Sequence, residues 1–405
     1  MAVGPTSTDP VHPVDGVRLG AIASGLRYAD RLDLVLVELS ESSRVSGVFT
    51  LNAFCAAPVT LAKQHLARCS SRYFLINTGC ANAGTGAAGE QAAQTCCAAV
   101  AQLTETTSDE VLPFSTGVIG ESLPVERLVS ALPDLQRTLS SDNWQIAAQG
   151  IMTTDTRPKL ASSQVVIGGK TVTVTGFAKG AGMIKPNMAT MLAFIFTDAD
   201  IGQSSLDTML NDMVNQSFNR ITVDGDTSTN DSCMLVATGR SGVHIDELSL
   251  EHKAQFLDAI QTVFLSLATE LIKDAEGATK FITIRICGGA NSKECLQAGY
   301  AIAESPLVKT AFFASDPNWG RILAAVGRAG ISGLDLKLVQ IQLGEVSLVV
   351  NGGLAHDYTE ERGQSEMDKD EIDITVNLGR GESEERIWTS DLSNEYIRIN
   401  AEYRT

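Results

Sequence analysis

A glycine-rich, proline-broken loop, Lys179-Gly180-Ala181-Gly182-Met183-Ile184-Lys185-Pro186-Asn187-Met188-Ala189, runs into Thr190 and then into the apolar, strand-like Met191-Leu192-Ala193-Phe194-Ile195-Phe196. Threonine suits a strand, so its presence alone decides little. The loop before it is the constraint, because it can bend the backbone back toward the Thr190 hydroxyl. Such a layout suits a chain that cuts itself before Thr190, leaving that residue with both a hydroxyl and a free α-amine. A threonine with its own terminal amine is a workable nucleophile for acyl transfer, the amine serving as built-in base. An ordinary loop-to-strand junction would look the same at most Ala-Thr pairs. The rest of the chain must therefore discriminate.

With 405 residues the chain can bury a large core, and two lobes are the natural expectation. The formal charge of −17 leaves no basic excess for nucleic acid or an anionic membrane. A local basic pocket around Lys179 and Lys185 can still hold an anion. Five of the eight cysteines (Cys55, Cys69, Cys80, Cys96 and Cys97) fall in the first quarter, with no C-x-x-C pair, so free thiols in a reducing cytoplasm are expected. The five histidines show no metal-ligand spacing, and no zinc site is expected. Residues 1–16 lack the pattern of a signal peptide, and no apolar run reaches the roughly 20 residues that span a bilayer. The expected location is the cytoplasm.

Strands are expected at Leu32–Leu39, Arg72–Ile76 and Val111–Phe114, a helix over 90–104, and a hairpin from Gln164 to Thr175 turning at Gly168-Gly169-Lys170. The second half reads as helices at Ser205–Phe218 and Ala254–Lys273. Strands follow at Phe281–Ile286, Leu338–Leu343, Val346–Val350 and Glu371–Leu378. Thr359–Asp370 reads as a solvated loop and the chain end, Ile397 onward, as a strand-like run. Mixed elements without a strict βαβ rhythm favour layered α+β architecture over a doubly wound parallel sheet.

Gly84-Thr85-Gly86-Ala87-Ala88-Gly89 matches G-x-G-x-x-G and makes a nicotinamide enzyme the first rival. Seven residues separate it from the preceding expected strand, and the next strand offers no acid for a ribose hydroxyl, so a packed glycine loop is preferred. Gln164 stands where a phosphate loop would need its first glycine. Thr116-Gly117 after Val111–Phe114 can put two donors on one developing oxyanion, or can be a plain glycine turn. Met152-Thr153-Thr154-Asp155-Thr156 is a hydroxyl cluster that reads as a ligand contact or as a turn before Pro158. The Asp224–Asp231 run has Leu235 where a calcium loop needs glutamate, so calcium is rejected. Glu276 either caps a solvated helix end or binds an ammonium.

Together these segments resemble the ornithine acetyltransferase (glutamate N-acetyltransferase) family of arginine biosynthesis, from about Val14 to Thr405. The matches run in order: Gly47–Thr50, Phe54–Val59, Asn77–Gly79, Ala81–Ala83, Ser115–Gly117, Met152–Thr156, Lys179–Leu192, Asp224–Asp231, Glu276–Lys280, Ser315–Arg321 and Asn400. The resemblance implies cleavage between Ala189 and Thr190, giving fragments 1–189 and 190–405, and an acetyl-carrying Thr190. It implies an oxyanion hole at Thr116 and Gly117 and substrate contacts at Thr153, Lys179, Thr190, Glu276, Asn400 and Thr405. It further implies a layered α+β fold and no metal or organic cofactor. The implied substrates are N-acetylornithine and glutamate, with acetyl-CoA open as a further donor, and the implied assembly has two copies of each fragment. Two departures stand out: Ala53 where arginine is common and Cys80 where asparagine is common. Two rivals stay open at this point, a self-cleaving amidase or aminopeptidase whose acceptor is water, and an amino-acid sensor without catalysis.

Overall fold

The structure, a computed structural model, describes residues 2–6, 8–185 and 191–402. Its centre is a pair of facing sheets. One has four strands in the order Val17–Ile22, Leu34–Leu39, Tyr73–Cys80, Val111–Val118, antiparallel except for the last, parallel pair. The other has five, in the order Arg44–Phe49, Ser232–Ala237, Leu192–Thr197, Lys170–Lys179, Lys159–Ile167.

Alternation along the strands dictates the layering, since successive side chains leave opposite faces. Val35 and Val37 pack with Phe74, Ile76 and Phe114 against Phe177, Phe194 and Phe196 of the facing sheet. Leu34 and Leu36, one residue out of step, turn to the helices Gly86–Thr104 and Val125–Arg137 through Cys96, Cys97, Val100, Leu128 and Leu132. In the second sheet Ala193 and Ile195 face the helices Gln203–Gln216 and Leu250–Lys273, where Leu206, Leu210, Phe256, Phe264 and Leu267 bury them. The result is helix, sheet, sheet, helix. A third, seven-stranded sheet built mostly from residues 281–390 carries its own core. The architecture is layered α+β, as expected.

The five-stranded sheet interleaves the chain on either side of residues 186–190. Leu192–Thr197 lies between Lys170–Lys179, which precedes them, and Ser232–Ala237, which follows. Arg44–Phe49 pairs on the far side of that last strand. Residues before and after a cut in that segment would share one hydrogen-bonded sheet.

Several expected boundaries move. The fourth strand runs from Val111 through Val118, so Ser115, Thr116 and Gly117 lie inside it rather than after its end. The preceding strand continues to Cys80, which leaves three residues, Ala81 to Ala83, before Gly84 instead of seven. The hairpin is longer than expected, Lys159–Ile167 with Lys170–Lys179 about Gly168-Gly169. Thr359–Asp370 is no loop: a helix, Glu360–Met367, starts with the Thr359 hydroxyl accepting the Arg362 amide and buries Met367. Among the described residues the run from Ile397 is no strand either, because Ser393 caps a helix, Asn394–Ala401, by accepting the Tyr396 amide.

Candidate active site

Six of the expected site residues meet in one cavity of about 260 Å³: Thr116, Gly117, Thr153, Lys179, Glu276 and Asn400. They come from five places in the chain. Thr116 and Gly117 occupy the end of Val111–Val118, Lys179 ends Lys170–Lys179, Thr153 belongs to the turn before the hairpin, and Glu276 follows the long helix. The fifth is Asn400, on the C-terminal helix Asn394–Ala401. The facing sheets thus present their strand ends to a common opening.

The Thr116-Gly117 step is fixed by its neighbour strand, Thr78 pairing with Thr116 and Gly79 with Gly117. Gly117 has φ +135°, and a β-carbon there would collide with the Gly79 backbone, so glycine is required for the strands to close. The Ser115 hydroxyl donates to Asn77 Oδ1 (2.6 Å), and Asn77 donates to Cys80 O (2.9 Å). From the bend before Ser232–Ala237 of the other sheet, Asn230 Nδ2 donates to Ala81 O (2.6 Å) and to Ser115 O (2.9 Å). These buried bonds hold the strand end on which Thr116 stands.

Lys179 reaches Thr116 directly, its Nζ donating to Thr116 Oγ1 at 3.1 Å. Burial lowers the Lys179 pKa, opposed by Asp155. Behind it, the wholly buried Lys159 pairs with Asp155 (2.5 Å) and Asp274 (2.6 Å). Although burial alone would raise it, Lys159 and Lys179 hold the Asp155 carboxyl below the usual carboxylate range. Of the hydroxyl cluster, Thr153 and Thr154 line the cavity, whereas the Thr156 hydroxyl bonds to Asp274.

Glu276 accepts a hydrogen bond from Asn400 Nδ2 (2.8 Å), and its amide donates to Ala181 O (2.8 Å). The Glu276–Lys280 turn is fastened to the C-terminal helix: Asp391 accepts the Thr279 and Lys280 amides, and the Ser393 hydroxyl donates to Gly277 O (2.6 Å). That is why residues 124 apart meet. Ala189, Thr190 and Thr405 lie outside the described residues. Their described neighbour Met191 is buried, and its amide donates to Asp231 Oδ1 at 2.9 Å. Burial pushes the Asp231 carboxyl well above the ordinary range.

Sequence reasoning missed Asn230, Asp231 and the Asp155 carboxylate as site-building groups. Asp224–Asp231 reads as a rejected calcium loop and as a segment of the family resemblance, with no role for its single residues. Asp224 instead accepts the Met183 and Ile184 amides (2.6 and 2.9 Å), anchoring the loop before residue 186. The G-x-G-x-x-G segment is structural. Asn82 accepts from the Thr85 hydroxyl and donates to Gly89 O, and a β-carbon on Gly89 would strike both Asn82 and Thr85. Of the two departures, Cys80 is buried and pairs across to Thr116, while Ala53 is exposed outside the cavity lining. All eight cysteines are free. Among the described residues no cluster could hold a metal, and no helix is long and apolar enough to cross a membrane.

Residues 18–405 match the model of the ArgJ family. The chain is 54% identical over 409 residues to the arginine biosynthesis bifunctional protein ArgJ of Pseudomonas syringae pv. tomato, covering all of both chains. It is 53% identical to the protein of that name from Methylococcus capsulatus, covering 97% of this chain and 96% of the other. The crystal structure of arginine biosynthesis bifunctional protein argJ from Bacillus halodurans matches with a TM-score of 0.50 at 38% identity. That match spans 52% of this chain and 99% of the other.

Proposed function

The chain belongs to the ArgJ family, and we propose that this enzyme of arginine biosynthesis transfers the acetyl group of N-acetylornithine to glutamate through an acetyl ester on Thr190. The observation that carries the reading is the cavity itself. It sets a hydroxyl bonded to an ammonium, Thr116 and Lys179, beside a carboxylate held by an amide, Glu276 and Asn400. One wall suits a developing oxyanion and a substrate carboxylate, the other the ammonium of ornithine.

In the precursor the Thr190 hydroxyl attacks the Ala189 carbonyl carbon, and the C–N bond between them breaks to leave an ester. The hydroxyl proton passes to the Thr190 nitrogen, which leaves as a free α-amine. Water then hydrolyses the ester to an Ala189 carboxylate and the restored Thr190 hydroxyl. Such an amine has an unperturbed pKa of about 7.7–8.0, so part of it is neutral near neutral pH. The amine takes the hydroxyl proton as Thr190 attacks the acetyl carbon. Thr116 and Gly117 donate to the oxyanion, and the proton passes to the departing amine of ornithine. Glutamate then enters through its neutral α-amine and takes the acetyl group back from Thr190 Oγ. Thr153, Lys179, Glu276, Asn400 and Thr405 bind the two amino acids in turn. No metal or organic cofactor enters the scheme. The fragments 1–189 and 190–405 remain together, two copies of each, in a cytoplasmic enzyme. The shared five-stranded sheet supports their association.

Incubation with N-acetylornithine and glutamate is expected to give ornithine and N-acetylglutamate in equal amounts. Ornithine release that glutamate does not accelerate, with free acetate as product, would favour the amidase reading. Acetyl-CoA with glutamate is also expected to yield N-acetylglutamate, since the relatives carry the name bifunctional. Product at background in that assay would leave only the recycling reaction.

A further inference from the structure

The buried charges behind Lys179 have no place in the scheme above. Asp155 Oδ1 takes Lys159 Nζ (2.5 Å) and the Gly180 amide (2.8 Å), while its Oδ2 takes the Thr153 amide (2.9 Å). One carboxylate therefore grips both segments that carry cavity residues, Thr153 on one side and Lys179, next to Gly180, on the other. Lys159 is itself neutralised by Asp274 at 2.6 Å, so the cluster carries an excess negative charge toward Lys179. Lys179 in turn donates to Thr116 Oγ1.

We infer that Asp155 is a positioning residue of the reaction: acting through Lys179, it keeps an ammonium behind the Thr116 hydroxyl and makes that hydroxyl a stronger donor to the oxyanion. A hydroxyl that accepts a charged hydrogen bond is polarised and donates more strongly in turn. This rests on the reading of Thr116 as an oxyanion donor.

Four charged or titratable groups face Lys179, and they do not pull together. Burial is the largest influence and disfavours the ammonium. Asp155 opposes burial most, Lys159 works with burial, and Glu276 and Asp231 side with Asp155. Burial pushes the Asp231 carboxyl well up, so its support for the ammonium is weaker than that of Asp155. Asp155, held below the ordinary range, is ionised throughout. It is the fixed charge that keeps Lys179 protonated.

The sign follows. A lysine that must be charged gives a rate that falls as pH rises through its pKa. Asp155→Asn removes the charge that raises that pKa, so the alkaline limb of the kcat profile should move down by roughly 1–3 pH units, the range for loss of a close opposite charge. Lys159→Met removes a like charge and should move the limb upward, and Asp155→Glu should bring it back. A merely structural role lowers the rate at every pH and moves neither limb, and an unmoved limb in both variants overturns the inference.

NMR titration of the Lys179 Nζ signal, assigned through Lys179→Arg, reads the same pKa without any turnover. If Asp155→Asn does not fold, Lys179 charged at pH 7 in the unaltered enzyme together with an upward shift in Lys159→Met supports the inference. Lys179 neutral at pH 7 overturns it. A Lys179 midpoint that moves as expected in a protein that transfers no acetyl group would sink the functional reading and leave the Asp155–Lys179 link standing.

Discussion

Thr190→Ala is expected to remain a single 405-residue chain and to transfer no acetyl group. The substitution removes one oxygen that both reactions need. Without it the Ala189 carbonyl is not attacked, no terminal amine is released, and no acetyl ester can form. Loss of a nucleophile in an enzyme of this kind typically lowers kcat by about 10⁶, since nothing else present can carry the acyl group. The fold should survive, because the substitution leaves every member of the aromatic core of Phe74, Phe114, Phe177, Phe194 and Phe196 in place. A denaturing gel, a thermal melt and a product assay read the three expectations separately. Thr190→Ser keeps a hydroxyl and should recover both cutting and transfer. Acetyl transfer by the alanine variant at the unaltered rate would remove Thr190 from the mechanism.

Thr116→Ala carries the second large effect, and it separates stabilisation of the transition state from substrate binding. The Thr116 hydroxyl is proposed to donate to an oxygen that becomes negative only during reaction. Its removal should therefore lower kcat by about 10²–10³ while KM for N-acetylornithine changes little. Self-cleavage passes through a similar tetrahedral species and should slow as well, so the kinetics must be measured on the cut fraction. The Lys179 ammonium loses the partner that it holds at 3.1 Å, and Thr116→Ser should restore that contact and most of the rate. An alanine variant with unchanged kcat would strip Thr116 of the oxyanion role.

What the sequence discloses about such an enzyme follows the range of the interactions. Leu34 to Val37 alternate between two cores, and Met191 to Phe196 form an unbroken apolar run, so both strands are legible from local pattern. The end of Val111–Val118 is not, because Ser115 and Gly117 look like a turn until Asn77, Gly79 and Asn230 are placed against them. The C-terminal helix imitates a strand through the spacing of Ile397 and Ile399. Ile397 in fact faces solvent, and the decisive signal is the Ser393 cap four residues earlier. The same division holds in the site. Thr116, Gly117, Lys179, Glu276 and Asn400 were recognisable because their types suit the chemistry and their segments resemble a known pattern. Asp155 was hidden in a run of threonines and Asp231 in a mock calcium loop. Their roles come from contacts with Gly180 and with Met191, 25 and 40 residues away, which no local reading supplies.

The central claim is that the active enzyme is a chain cut before Thr190, whose new amine serves as the base. Intact-mass measurement of freshly purified, active protein under denaturing conditions tests it most directly. The expected result is two species corresponding to 1–189 and 190–405, which elute together under native conditions because their strands share one sheet. A single uncut species with full acetyl-transfer activity would contradict the account.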